Sequence, residues 1–231
     1  MMKRWISIML LLTLLLGGAQ AAEKFSAVSP QDAQEKALQL VRSCAFGSEY
    51  GNAHNLARWE QPLRVYVGGK PTQADLRKVD EFLLELTTYV SNLPNVTRVS
   101  RESDANVVIW YVPLAKMGDY VDNYRDGNWG FVSYWFNGRL QMTRMEIAIA
   151  TDVTDQKARN HLLMEEMLGG MGVGNDHYVY SDSILYQPWT TTQSLSAVDW
   201  LMMNMVYHPD VYTNMTWDAF YRVTSARIYN R

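Results

Sequence analysis

The side chains best placed to do chemistry lie in one stretch of the chain: His161, the adjacent pair Glu165-Glu166, a glycine-dense break at Gly169, Gly170, Gly172 and Gly174, then Asn175-Asp176-His177. Two carboxyl residues beside a tight turn can divide general acid and general base roles when their surroundings separate their pKa values. His161 and Glu165 stand four residues apart, so on a helix they share a face. With Asp176 or His177 they could rebuild a divalent-metal site. The plainer alternative is a favourable i, i+4 contact between a histidine and a glutamate, with one glutamate bonded to a neighbouring loop and the other solvated. Leu162, Leu163, Met167 and Leu168 on the same segment place at least one glutamate against an interior cleft, where Arg144, Arg159 or Asp176 could be its partner. The glycines follow no strand and precede no Lys-Ser/Thr, so they predict a helix end and turn rather than a nucleotide cradle.

Zinc peptidases carry H-E-x-x-H on a helix, with two ligands one turn apart and a glutamate between them as base. The extended form H-E-x-x-H-x-x-G-x-x-H turns at its glycine so that a third ligand returns to the metal. Laid on this chain, the pattern puts Glu165 at the first ligand, Glu166 at the base, Gly169 at the second ligand, Gly172 at the turn and Asn175 at the third ligand. The base and the turn are present. Gly169 has no side chain and an amide is a poor zinc ligand, so no zinc cage is expected. The candidate catalytic residues are Glu166 and Glu165, and the candidate binding residues are Asp176 and His161. No metal ligands and no cofactor are assigned.

The elements that must position these residues follow from periodicity. Residues 30–41 predict a helix opened by Ser29 and Pro30, and the glycine-containing stretch 47–55 predicts a loop. Residues 62–69 predict a strand, and Thr72 with Asp75 opens a long amphipathic helix that ends near Pro94. Strands are expected at 96–100 and 106–112, the second apolar enough to be buried on both faces. Polar residues dominate 117–128, which predicts an exposed loop. Asn137-Gly138 predicts a two-residue turn joining strands at 129–136 and 139–151. A helix over 154–168, capped by Thr154 or Asp155, carries the glutamate pair, and further helices are expected at 195–207 and 217–228. The fold class is α+β with a mixed sheet of about four to five strands. Alternation in the hairpin sends half of Tyr120, Tyr124, Trp129, Phe131, Tyr134, Trp135 and Phe136 inward. The other half could form an exposed row that binds a peptide or glycan by strand addition or stacking.

Composition narrows the function. The chain has 231 residues, 48% of them hydrophobic, and a formal charge of −3, which excludes a disordered chain and a basic nucleic-acid-binding surface. One cysteine, Cys44, excludes an internal disulfide framework and leaves a buried thiol or an intermolecular partner as its roles. Residues 1–21 read as a signal peptide: Lys3 and Arg4, an apolar run over 6–16, then Ala19-Gln20-Ala21 as the cleavage site. Export to the periplasm or beyond is therefore expected, with an N-terminal helix and loop over 22–54, a main domain over 55–231 and no transmembrane segment after cleavage.

An ordered set of residues resembles an uncharacterised family of secreted bacterial zincin-like domains of unknown function, in which the metallopeptidase helix carries Glu-Glu in place of His-Glu. The set is Arg58-Trp59 with Pro62, strands at 106–109 and 147–150, Glu165-Glu166 with Gly172 and Asn175-Asp176, then Ser183-Ile184, Asp199, Tyr207 with Pro209, and Met215. It covers about residues 55–225. The chain departs from the family at Gly169, where a polar residue, usually glutamine, stands. The resemblance implies a zincin-like fold with a degenerate active site and no established activity. The expected function is a non-catalytic binding or envelope-associated role toward a protein, peptide or glycan. The alternative is a peptidase-like hydrolase using Glu166 as base, either with a metal site rebuilt from His161, Glu165 and Asp176 or without metal.

Overall fold

The computed structural model describes residues 30–47 and 55–225. The segment read as a signal peptide, Ser29, residues 48–54 of the expected loop, and residues 226–231 lie outside them. Helix α1 (Pro30–Leu40) runs into a π-helical turn at Val41–Ala45. Strand β1 (Leu63–Gly69) leads to helix α2 (Gln73–Tyr89), which Thr72 and Asp75 open as a reciprocal capping box. Short β2 (Val96–Arg98) and central β3 (Val107–Val112) follow, then the antiparallel pair β4 (Gly130–Phe136) and β5 (Met142–Ala150). Helices α3 (Gln156–Gly169), α4 (Ala197–Val206) and α5 (Trp217–Ser225) complete the described chain.

The strands form one mixed sheet in the order β2-β1-β3-β5-β4. The first three pairings are parallel, and only β4 runs antiparallel, at the edge beside β5. This is the α+β fold that the alternation of patterns predicts. On one face Val65, Ile109 and Ile147 pack against the helices, including Ala37, Leu40 and Val41 from the N-terminal helical segment, in a single large core. Asp75 and Arg159 join α2 to α3 inside this layer, with Nε 3.1 Å from the carboxylate and both side chains almost fully enclosed.

Three local expectations need correction. Segment 117–128 is not simply an exposed loop. It is entered through a 3₁₀ turn at Leu114–Asp119, and its Met117 and Val121 are buried against Val112, Ala148 and Ala150 on the second face of the sheet. Asn137-Gly138 does not make a two-residue hairpin. The Asn137 N–H donates to the Gln141 carbonyl, its Oδ1 accepts from the Arg139 and Gln141 N–H groups, and Leu140 takes the left-handed conformation at φ 59°. The Asn137 side chain thus closes a longer loop, and β5 begins at Met142 rather than at 139. Strand β2 is also shorter than the expected 96–100.

Candidate functional site

Helix α3 starts where Asp155 accepts the Lys157 N–H, as one of the two expected caps. Its last turns lie across β4 and β5 at unusually short range. A side chain at Gly130 would bring its Cβ 2.7 Å from Glu166 Oε1 and 3.0 Å from Leu162 Cδ2. The start of β4 is therefore glycine so that the Glu166 carboxyl can lie against the strand backbone. At Gly169 a Cβ would stand 3.1 Å from Val132 Cγ1, and at Gly170 it would collide with the Met145 side chain.

Beyond α3 the chain turns at Gly172, whose φ of 105° favours glycine and whose missing Cβ leaves space for the Ala57 carbonyl. Two enclosed aromatic side chains fix this turn. Trp59 Nε1 donates to the Gly170 carbonyl and the Tyr207 hydroxyl donates to the Met171 carbonyl, both at 2.9 Å. Asn175 Nδ2 donates to the Ser43 carbonyl at 3.1 Å, while its N–H reaches the Cys44 carbonyl. The side chain at the third-ligand position thus ties the turn to the N-terminal helical segment. Cys44 is itself buried, and desolvation pushes its thiol far above the ordinary range.

A cavity of about 350 Å³ opens between α3, β4, the glycine turn and the loop around residues 185–189. Glu165, Glu166 and Asp176 all line it, so three of the four candidate residues share one space. His161 stands behind it, enclosed, with Nδ1 3.2 Å from the Thr192 carbonyl and Nε2 3.7 Å from Glu165 Oε2. Burial lowers the imidazole pKa below its ordinary value, which keeps the ring neutral. Nδ1–H then donates to the Thr192 carbonyl, and the unprotonated Nε2 is the atom facing Glu165. The two arginines considered as partners for the pair are engaged elsewhere, Arg144 with Glu146 and Arg159 with Asp75.

The residues do not fit a zinc ion. Gly169 supplies no donor, and Asn175 offers only an amide, whose Nδ2 donates to the Ser43 carbonyl. Among the described residues no three His, Cys, Asp or Glu side chains stand close enough to hold a metal. This applies equally to the rebuilt set of His161, Glu165 and Asp176. His177 does not join Asp176 in the cleft. It is 3% exposed, its Nδ1 accepts the Val179 N–H, and its Nε2 has no partner among the described residues. Desolvation pushes its pKa down to about 4. His208 accepts the Asp210 N–H at Nδ1.

Part of the site is not signalled by the glutamate motif. Trp129 and Trp189 meet edge to face at the rim, their centroids 5.5 Å apart and their planes at 85°, while remaining 47% and 54% exposed. Trp129 belongs to the aromatic set read from sequence, but Trp189 and Gln187 come from a loop that no periodicity marks. An exposed tryptophan beside Pro188 and before three threonines is the one signal that could have found them.

Fold and cleft together define an α+β protein in which a helix-borne glutamate pair lies beside the edge strand of a mixed sheet. Residues 38–225 match the family described as "Protein of unknown function (DUF2927)", and the chain belongs to that family. No curated protein matches it.

Proposed function

We propose that the chain is an exported, zincin-like binding protein whose cleft takes an extended peptide along β4. The observation that carries this reading is the one-sided pairing of β4 next to the cavity. The Trp129 carbonyl accepts from the Ala150 N–H, so strand alternation turns the backbone groups of Gly130, Val132 and Tyr134 to the unpaired side. Those three residues also line the cavity. An added strand would find backbone partners there and, beneath them, a pocket for alternate side chains.

The zincin-like reading is supported by the order of elements and by the place of the glutamate helix against the edge strand. Binding rather than zinc-dependent hydrolysis is supported by the two ligand positions, Gly169 packed on Val132 and Asn175 bonded to the N-terminal segment. Export rests on the N-terminal sequence, and no helix among the described residues is long and apolar enough to cross a membrane.

The reading is tested with extended peptides presented to the full chain in calorimetry, each compared with its copy N-methylated at alternate residues. Strand addition requires the methylated copies to lose binding. Equal binding by both copies would overturn it. A metal-free hydrolase is the second reading, favoured by Glu165, Glu166 and Asp176 sharing one cavity. It assigns Glu166 as general base. On a panel of peptides and glycans any turnover must then vanish in Glu166→Gln, and turnover that survives the substitution would exclude it.

A further inference from the structure

We infer that the buried pair Asp199–Ser183 positions the wall of the cleft that carries Leu185, Gln187 and Trp189, and so sets where Trp189 meets Trp129 at the rim. The inference deepens the peptide-binding reading and rests on it for what the wall receives.

Asp199 stands in the first turn of α4, fully enclosed and outside the cavity. A carboxylate without access to water must draw its hydrogen bonds from the protein. The capping box of α4 supplies two, from the Ser196 N–H at 2.8 Å and the Ser196 hydroxyl at 2.9 Å. The loop supplies two more: the Ser183 hydroxyl donates at 2.6 Å and the Ile184 N–H at 3.1 Å. One carboxylate thus fixes both the start of a helix and the start of the cleft wall. Burial pushes its pKa up, and these donors oppose the rise.

From Ser183 the constraint passes into the cleft through the backbone. Ser183 is itself fully enclosed, and its Oγ accepts the Leu185 N–H at 3.1 Å. The Leu185 carbonyl accepts the His177 N–H at 3.0 Å, and the His177 carbonyl accepts the Gln187 N–H at 2.9 Å. Leu185 and Gln187 line the cavity, and so does Asp176 beside His177. Just beyond Gln187, Trp189 meets Trp129 and also stands edge to face with the His161 ring, 5.7 Å between centroids. The far end of the loop is tied to α3, where His161 Nδ1 meets the Thr192 carbonyl. Trp189 therefore lies on a span held at both ends, and its hold at Ser183 depends on a carboxylate that stands outside the cavity. Supporting bonds of this kind decide how closely a binding surface keeps its shape.

Two variants of the full chain separate the halves of the Asp199 network. Ser183→Ala removes the loop hydroxyl and Ser196→Ala the cap hydroxyl, and urea unfolding records the stability each one loses. The paired indoles give an exciton couplet in circular dichroism, assigned by its loss in Trp189→Phe. Binding is read by calorimetry with an extended alternating threonine–valine peptide. Ser183→Ala is expected to lose the couplet and to weaken the peptide about tenfold, while Ser196→Ala keeps both despite its lower stability. If Ser183→Ala does not fold, Ser183→Cys, similar in shape but a weak donor, takes its place in the comparison. An unchanged couplet or affinity in the Ser183 variant, or equal losses in the Ser183 and Ser196 variants, would overturn the positioning role while leaving the peptide cleft standing. A native chain that does not bind the peptide would count against the peptide reading, and the couplet alone would then decide the positioning role.

Discussion

Glu166 lies against the strand because Gly130 has no side chain, and this single close approach couples the candidate chemistry to the sheet. Gly130→Ala must push the Glu166 carboxyl or the strand aside. It is expected to cost about 1–3 kcal/mol in urea unfolding and to weaken peptide binding. Unchanged stability and affinity would show that the approach is not needed. His177 and His161 act on stability in a different way, since burial lowers both pKa values. The folded chain resists protonation of His177 until about pH 4, whereas the unfolded chain takes the proton near the ordinary 6.5. Its contribution is therefore complete above that value and is lost as pH falls toward 4, a change on the order of 3 kcal/mol. Urea midpoints measured across this window should fall with pH, and the slope should flatten in His177→Gln. The same slope in both proteins would contradict the assignment. The residue types of the candidate site were legible because a zinc-ligand template leaves Gly169 without a side chain and Asn175 with only an amide. What those residues do instead was not legible, since packing on Val132 and bonds to Ser43 and Cys44 depend on segments distant in sequence.

Among elements, α3 and its following turn were the easiest to read. An acidic N-cap, an apolar stripe and a glycine break are local signals, and they place the helix end within one residue of where it falls. The turn's anchors are not local. Trp59 and Tyr207 donate from distant parts of the chain. Trp59→Phe should keep the ring's packing but leave the Gly170 carbonyl unpaired, lowering stability by about 1–2 kcal/mol in chemical denaturation. No loss would show that water replaces the indole. The pair Asp75–Arg159 joins α2 to α3 inside the protein, and Asp75 is also the partner of the N-cap Thr72 in the capping box of α2. Asp75→Ala strands a buried guanidinium and should cost about 3–5 kcal/mol. Adding Arg159→Met should recover part of that loss, and strict additivity of the two changes would argue against a coupled pair. The hairpin loop was misread because Asn137-Gly138 is a turn signal only if nothing better competes. Here the Asn137 side chain bonds the backbone ahead of it and lengthens the loop. Met117 and Val121 were misread because polar neighbours outnumber two apolar anchors that reach the second face of the sheet.

At the scale of the molecule, alternating strand and helix patterns were enough to give the α+β class, and the central strand's unbroken apolar run placed it inside the sheet. Sequence could not show that the antiparallel strand would be the edge or that Trp189 would reach across to Trp129. Both depend on how distant segments close around α3. The resulting molecule has a cleft, an edge strand and a glutamate pair, with Gly169 packed on Val132 and Asn175 holding the turn. The most direct test is the zinc content of the purified protein by elemental analysis, for the native chain and for His161→Ala and Glu165→Ala. A binding protein without a zinc cage should carry less than roughly 0.1 zinc per chain in all three. One zinc per native chain, lost in either variant, would contradict it.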